Sequence, residues 1–288
     1  MANKLRTLLG DVLTAKEKRS IYSSFDVIGD IVIMKIPDSL LYKKYAIGKR
    51  LLDNLKSAKS VFLQTSAIEG VYRLRKLELL AGTNRTVTEH HEHGCRFKVD
   101  VRKVYFSPRL STERLRIAEK VQDNEIVTNM FAGVGTFSIL IAKQNPRSVV
   151  FNIDSNARAS LLCLVNAKLN RVQDRVFPFC GDAKHIASTI LSGISNRVLM
   201  PLPERAKEFV GSAITCLKQQ GGTIHYFAHV GGHNKKDAIN EGILNTTNAF
   251  KDYNHVIAGT RVVREVGPRL YQIVSDVSVC RRQCPKTI

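Results

Sequence analysis

No apolar run in this sequence approaches the roughly twenty residues that a membrane-spanning helix needs. The first 20 residues carry charges throughout and therefore lack the apolar core of a secretion signal. Internal repeats and low-complexity tracts are missing as well. These absences exclude an integral membrane protein and predict a cytoplasmic one. The 288 residues are enough for two domains with a large core.

A CxxC pair is also missing, although the chain has six cysteines. Cys163 and Cys216 stand in apolar stretches and are predicted to be reduced core residues. Cys280 and Cys284 could pair or bind a metal, but ordinary thiols are the favoured interpretation. Three histidines and a cysteine resemble metal ligands at first sight: His90, His91, His93 and Cys95. Their segment alternates like an edge strand and offers no second ligand pair, so we predict no metal site.

Acidic residues are few relative to basic ones. The chain has 44 Lys and Arg against 25 Asp and Glu, a net charge of +19, and both halves share the excess. A surplus spread in this way suits a polyanion held by two domains. The alternative is a basic but merely solvated surface. Membrane association is disfavoured because no basic amphipathic helix with bulky apolar anchors stands out.

The most informative stretch is VTNMFAGVGTFSILIAK, residues 127–143, in which Gly133 and Gly135 separate two apolar runs. Glycines there let a nucleotide-like ligand approach the backbone, with the amides of the next helix facing it. Ser138 stands where a dinucleotide-binding motif has its third glycine, and the segment lacks the lysine of a P-loop. Taken alone, a GxG pattern is equally typical of an ordinary strand-to-helix turn.

Two further predicted strand ends carry carboxylates. The run VVFNID ends in Asp154, which could accept bonds from both ribose hydroxyls of an adenosine. The alternative is that Asp154 or Ser155 caps the next helix. Asp182 follows a third strand, at residues 176–179, and suits an adenine amino group. Together with the glycine loop, these are three strand ends with a glycine or a polar group, and they predict an adenosyl site on a doubly wound sheet. The lack of lysines that would bind phosphate groups favours S-adenosylmethionine over NAD.

The order of predicted elements indicates an α/β protein. Residues 1–20 read as a charged helical lead-in, 21–102 as a small α+β RNA-binding domain, and 103–288 as alternating strands and helices. Residues 255–279 predict a closing antiparallel hairpin. This is the arrangement of a class I, Rossmann-like methyltransferase domain, with a mostly parallel seven-stranded sheet that ends in an antiparallel hairpin.

Three local predictions bear on the site. Residues 73–80 read as a strand, and residues 104–121, VYFSPRLSTERLRIAEKV, as a strand followed by a helix. The helix at residues 157–169 has apolar residues at a spacing of four, which predicts one stripe packed against the sheet: Ala157, Leu161, Val165 and Leu169.

With these motifs in one order, the chain resembles the archaeal and eukaryotic tRNA (guanine-37-N1)-methyltransferases, the Met-10+ like family. The similarity runs from about residue 20 to the end, and its most specific part is FSPRL…ER at residues 106–114. It implies methyl transfer from S-adenosylmethionine to N1 of guanine 37 by a monomer that binds the tRNA anticodon arm. Two alternatives remain: the wyosine-pathway aminocarboxypropyl transferase, which shares the fold, and a non-catalytic RNA-binding protein, which the intact glycine loop disfavours.

The resemblance also implies roles for single residues. Glu113 matches the carboxylate that removes the proton from N1, and Arg73 matches the arginine that stabilises negative charge on O6. The implied cofactor-binding residues are Tyr105, Asn129, Phe131, Gly133, Gly135, Asp154, Asp182 and Pro201. The implied substrate contacts are Arg109, Pro203 and Glu204. From the residues alone, Glu113 would read as a paired surface glutamate, and Arg73 as a strand-surface phosphate contact.

Three features depart from the family pattern. Only about twenty residues precede the first family-like strand, so the usual N-terminal domain is expected to be missing. Asn129 stands where relatives often carry Asp. Pro201 opens the PLPE turn where Asn is common, and it offers only a carbonyl. A PLP turn resembles an archaeal subgroup in which some members methylate carbon 7 of 4-demethylwyosine, and that second activity is a hypothesis.

Overall fold

In the computed structural model, residues 2–22, 24–67 and 70–280 are described. The chain divides into two compact units, Met1–Pro108 and Arg109–Ile288, whereas the sequence analysis sets its boundary at residue 102. Within the first unit, the Arg75 guanidinium donates to the carbonyl of Phe106 at 3.0 Å. This bond attaches the segment just before Pro108 to the first unit.

The first unit is built on a four-stranded sheet with the order β1-β2-β3-β4, in which only β2 and β3 are parallel. A separate hairpin of β5 and β6 follows. Helices and a 3-10 helix at Asp38–Lys43 cover the sheet, and the core includes Leu5, Ile47 and Val61. The bounds are α1 Ala2–Leu8, α2 Glu17–Ser20, β1 Phe25–Ile28, β2 Ile31–Met34, α3 Lys44–Asn54, β3 Ser60–Gln64, β4 Leu77–Gly82, β5 Val87–Glu92 and β6 Cys95–Asp100.

The second unit is a seven-stranded sheet with the order β12-β13-β11-β10-β7-β8-β9, parallel except for the final hairpin. This confirms the predicted fold class. Helices lie between successive strands, as parallel crossovers require. The bounds are α4 Ser111–Lys120, β7 Ile126–Asn129, α5 Thr136–Gln144, β8 Val149–Asp154, α6 Ala157–Leu169, β9 Val176–Cys180, α7 Ala183–Thr189, β10 Arg197–Met200, α8 Val210–Cys216, β11 Gly222–Gly231, α9 Lys235–Ala249, β12 His255–Gly267 and β13 Leu270–Val279.

The predicted apolar stripe of α6 is wrong. Leu161 is half exposed, and the buried face of the helix is formed by Ala159, Ser160, Leu162, Cys163, Asn166 and Ala167. The Asn166 side chain donates to the carbonyl of Val134 at 3.1 Å. A polar contact to the glycine loop therefore helps to set the buried face of this helix, and apolar spacing alone could not reveal it.

One predicted strand is wrong, and another begins later than predicted. Residues 104–107 form no strand, and a 3-10 helix at Pro108–Leu110 leads directly into α4. Pro108 has no N–H to donate to a sheet. Residues 73–76 precede β4, which begins at Leu77, and Arg73 lies in a turn with φ of +55°. Positive φ is uncommon for residues other than glycine, so residue preferences could not predict this turn.

Candidate active site

The loop between β7 and α5 carries the glycine motif. Gly133 and Gly135 have φ of +56° and +86°, a region that favours glycine. A Cβ added to Gly135 would lie 2.6 Å from Sγ of Cys163. The loop thus requires glycine at residue 135 for two reasons, the backbone angle and the close approach of α6.

A buried polar layer lies beneath this loop. Asn129, which is fully buried, donates to Oγ of Ser138 at 3.1 Å and accepts from the Phe131 amide at 3.4 Å. Ser138 in turn donates to Oδ1 of Asn152. Ser138, at the position of a third glycine, therefore links α5 to two neighbouring strands through hydrogen bonds.

Asp154 ends β8 and holds the glycine loop. Its carboxylate accepts from the Gly133 amide at 2.7 Å and from the Asn156 amide at 2.9 Å. Burial raises the pKa of Asp154, and these two hydrogen bonds oppose the rise. A carboxylate has about four acceptor sites, so capacity remains for two hydroxyl groups. Asn156, rather than Asp154 or Ser155, is the N-cap of α6.

The other strand ends lie at the same edge of the parallel sheet. Asp182 follows β9 and caps α7 by accepting from the His185 amide at 2.9 Å. The strand order reverses between β7 and β10, and a crevice at such a switch point is where ligands bind in open α/β sheets. Phe131 follows β7 and Pro201 follows β10. The Phe131 ring stacks edge-on against Phe209 at 4.9 Å between centroids.

The PLPE segment turns sharply after β10. The Leu202 amide donates to the Met200 carbonyl at 2.8 Å. Pro203 is buried, whereas Glu204 is exposed and lies 3.8 Å from Nδ1 of His229. Arg109 is also exposed, within the 3-10 helix that precedes α4.

Glu113 projects from the first turn of α4 and is only 2% exposed. Arg116 donates hydrogen bonds to the Glu113 carboxylate, with Nη2 at 2.6 Å and Nε at 2.9 Å from Oε1. Arg261, from β12, lies 3.6 Å from Oε2. Burial raises the pKa of Glu113, and the two arginines oppose that rise. The interpretation of Glu113 as a surface glutamate is therefore wrong.

Arg73 and Tyr105 meet within the first unit. The guanidinium carbon of Arg73 lies 4.1 Å from the centroid of the Tyr105 ring. A cation stacked on an aromatic face is stabilised by about 0.5–2 kcal/mol. Two predicted site residues that are distant in sequence are thus brought together, while Glu113 belongs to the second unit.

The partners of Glu113 were not identified from the sequence. Arg116 stands three residues further along α4, a spacing that places two side chains on one helix face. That spacing was the only available signal. Asp276 and His225, which extend the contact, come from β13 and β11, and nothing local in the sequence marks them.

Comparison with known proteins assigns the family. Residues 88–255 match the TRM5/TYW2 methyltransferase domain, and residues 5–86 match the TYW2 N-terminal domain. The chain belongs to the TRM5/TYW2 methyltransferase family. The family assignment confirms the resemblance seen in the sequence and identifies the chain as an enzyme.

Members of the TRM5/TYW2 family resemble this chain over most of its length. It is 41% identical to the tRNA (guanine(37)-N(1))-methyltransferase Trm5b of Pyrococcus abyssi, over 91% of this chain and 76% of the relative. It is 33% identical to the tRNA 4-demethylwyosine(37)-methyltransferase Taw21 of Saccharolobus solfataricus, over 91% and 96% of the two chains. Among solved structures, aTrm5 in its complex with tRNALeu superposes with a TM-score of 0.82 at 34% identity, covering 96% of this chain and 78% of that one.

Three other features concern metals, cysteines and membranes. Within the described ranges, no three His, Cys, Asp or Glu side chains are grouped as metal ligands. Cys163 and Cys216 are buried free thiols, as predicted, and Cys284 lies outside the described residues. No helix in the described part of the chain is long and apolar enough to cross a membrane.

Proposed function

We propose that this protein is an S-adenosylmethionine-dependent methyltransferase that methylates N1 of guanine 37 in tRNA. The observation that carries the proposal is the buried Glu113 carboxylate on the helix just before the glycine-loop strand. A methyltransferase acting on guanine N1 needs a proton acceptor, because N1 carries a proton at neutral pH. The 41% identity to a guanine-37 methyltransferase supports this substrate.

Glu113 is the proposed proton acceptor. Burial raises its pKa, which makes the carboxylate a stronger proton acceptor than an exposed glutamate. The hydrogen bonds from Arg116 fix the direction of its carboxylate while favouring the ionised form. A base that is held in place and whose pKa is raised by burial suits general-base catalysis.

Arg73 is the proposed electrostatic partner of the target base. Its guanidinium, stacked on Tyr105, keeps planar N–H donors that can face the developing charge on O6. Tyr105, which the family resemblance implies as a cofactor contact, would thereby order Arg73. The proposed contacts to the tRNA are Arg109, Pro203 and Glu204. The net charge of +19 supports a polyanionic substrate.

The glycine loop fits an adenosyl group. Gly133 and Gly135 present no Cβ atom at their two positions in the loop, and Asp154 retains acceptor capacity for two ribose hydroxyls. Asp182 is proposed to accept from the adenine amino group. Phe131 and Pro201 would complete the pocket, while the fully buried Asn129 would act on the cofactor only indirectly, by supporting the loop through Ser138 and the Phe131 amide. When bound, S-adenosylmethionine supplies an electrophilic methyl group, and the role of the protein is to orient the acceptor and remove its proton.

The proposal extends to the oligomeric state, the region of the tRNA that is bound and the cellular compartment. We infer that the enzyme acts as a monomer on the anticodon arm, in the cytoplasm, where tRNA is available. The solved complex of the similar aTrm5 with tRNALeu supports tRNA as the substrate.

A second candidate reaction is methylation of carbon 7 of 4-demethylwyosine. The similarity to Taw21 across 96% of that relative favours it. Pro201 also favours it, because a proline cannot offer the side-chain amide of the asparagine that is common there.

The test is methyl transfer from labelled S-adenosylmethionine to unmodified tRNA transcripts with G or A at position 37. We expect 1-methylguanosine from the G37 transcript only, identified by nucleoside mass analysis. A transcript carrying 4-demethylwyosine tests the second reaction, and the product mass distinguishes a methyl from an aminocarboxypropyl group. Absence of 1-methylguanosine together with modification of 4-demethylwyosine would replace the first proposal with the second.

A further inference from the structure

Glu113 begins a series of side-chain contacts within the second unit, which continues through Arg116, Asp276 and His225 to Arg197. Arg116 bonds Glu113 and also donates to Asp276, with Nη1 at 2.7 Å from Oδ2 and Nη2 at 3.0 Å from Oδ1. Asp276 contacts Nδ1 of His225 at 2.6 Å. Nε2 of His225 lies 2.8 Å from Nη1 of Arg197. The Arg116 guanidinium is therefore shared between two carboxylates on different elements, α4 and β13.

The contacts assign the protonation of His225. An arginine N–H can only donate, so Nε2 of His225 accepts from Arg197 and Nδ1 carries the proton that is donated to Asp276. Full burial lowers the pKa of His225, in agreement with a neutral ring. Arg197 is itself neutralised by Glu125, whose carboxylate lies at 2.6 and 2.9 Å from Nε and Nη2. Apart from the partly exposed Arg261, the charged groups that act on Glu113 are thus Arg116 and, behind it, Asp276.

We propose that Arg116 and Asp276 are positioning residues, which hold the Glu113 carboxylate in one orientation and set how readily it takes up a proton. This inference rests on the proposed function, in which Glu113 accepts the N1 proton. Arg116 alone would give Glu113 an undivided cationic partner and make it a poor base. Asp276 draws two of the guanidinium's N–H bonds to itself and places a negative charge behind Arg116.

The groups that face Glu113 and its partners come from several elements. Arg116 belongs to α4, Arg261 to β12 and Asp276 to β13. Lys120 lies 3.3 Å from Asp276, but its side chain is 49% exposed and its charge is screened by solvent. A substitution that alters only one of the two central charges should therefore shift the proton uptake of Glu113 in a defined direction.

The test is the pH dependence of kcat/KM on a G37 transcript, whose acid limb reports an essential base in the free enzyme. Arg116→Gln removes a cation and should raise the apparent pKa of that limb by roughly one unit or more. Asp276→Asn removes an anion that lies further away and should lower it by roughly half a unit. Opposite shifts would not follow from a merely structural role, which would lower kcat and leave the limb unmoved.

Three controls keep this test decisive. Glu125→Gln breaks the buried ion pair between Glu125 and Arg197, at the opposite end of this series of contacts from Glu113. It should lower the free energy of unfolding without shifting the acid limb of the pH profile. Asp123→Asn breaks an exposed pair with Arg147 and should change neither property. If Arg116→Gln fails to fold, Arg116→Lys keeps the charge but loses the forked geometry, so kcat should fall while the limb stays near its wild-type position.

A second readout does not depend on turnover. The 13C resonance of the Glu113 carboxyl can be titrated in the folded protein without tRNA, and Asp276→Asn should lower its midpoint. A wild-type enzyme that forms no 1-methylguanosine would refute the proposed function, whereas the NMR titration would still test the role of Asp276. Normal turnover with shifts in one direction, or with none, would overturn the inference alone.

Discussion

Replacing Gly135 by alanine tests the packing between the glycine loop and α6. Gly135 has φ of +86°, and its new Cβ would lie 2.6 Å from the Cys163 sulfur and 3.1 Å from Cδ1 of Ile139. Gly193 has a similar φ of +74°, but no atom lies within 4 Å of its added Cβ. The two substitutions therefore share the backbone penalty and differ in the steric one.

The expected magnitudes follow from these two terms. The left-handed conformation costs a residue with a Cβ about 1–2 kcal/mol, which is the whole effect expected for Gly193→Ala. Overpacking of a dense interior adds about 1–3 kcal/mol at residue 135. We expect Gly135→Ala to lower the free energy of unfolding by roughly 2–5 kcal/mol, a large share of the ~5–15 kcal/mol typical of a domain.

Urea unfolding of the two variants and of a double mutant separates the terms. Cys163→Ala removes the sulfur and leaves its Cβ 3.6 Å from the new methyl group, an ordinary contact. In the Cys163→Ala background the contact with Ile139 at 3.1 Å remains, so Gly135→Ala should cost more than Gly193→Ala but less than in the wild-type background, a coupling of about 1–3 kcal/mol. If the costs of the two substitutions simply add, the proposed clash with Cys163 does not exist and the reasoning is refuted.

Two further predictions concern Asp154 and the cysteines. Asp154→Ala should weaken binding of S-adenosylmethionine about 10–100-fold, because charge-assisted hydrogen bonds contribute about 1.5–3 kcal/mol. Calorimetry measures this, and unchanged affinity would remove Asp154 from the cofactor site. Burial raises the pKa of Cys163 to about 12, whereas Cys180 is exposed; a thiol reagent at pH 8 should therefore label Cys180 in the folded protein and Cys163 only after unfolding. Rapid labelling of Cys163 under native conditions would contradict its buried position.

The strand ends of the second unit could be predicted because their signals are local. A glycine pair after an apolar run and an acidic residue after the next run are visible within a few residues of sequence. They correctly gave the strand-to-helix loop at residues 130–135 and the end of β8 at Asp154. The closing hairpin was predictable for the same reason, since two long strand patterns flank Gly267-Pro268.

Other features depend on contacts between distant segments. Asn166 turns towards the glycine loop and donates a hydrogen bond to it, and this side of α6 is the buried one. The spacing of the apolar residues was therefore misleading. Glutamate is rarely fully buried, and Glu113 is accommodated by Arg116 on its own helix and by contacts of α4 with β12 and β13. Arg73 occupies a positive-φ turn that residue preferences disfavour. In the first two cases, a polar contact between distant segments overrides the local preference on which sequence reasoning relies.

The central claim is that Glu113 removes the proton from guanine N1. The most direct measurement is the single-turnover rate of methyl transfer to a saturating G37 transcript by Glu113→Gln. The matched control is Glu119→Gln, an exposed glutamate on the same helix. We predict that Glu113→Gln slows the transfer about 10²–10⁴-fold, the usual contribution of a general base, and that Glu119→Gln retains the wild-type rate. Equal rates for the two variants would contradict the account.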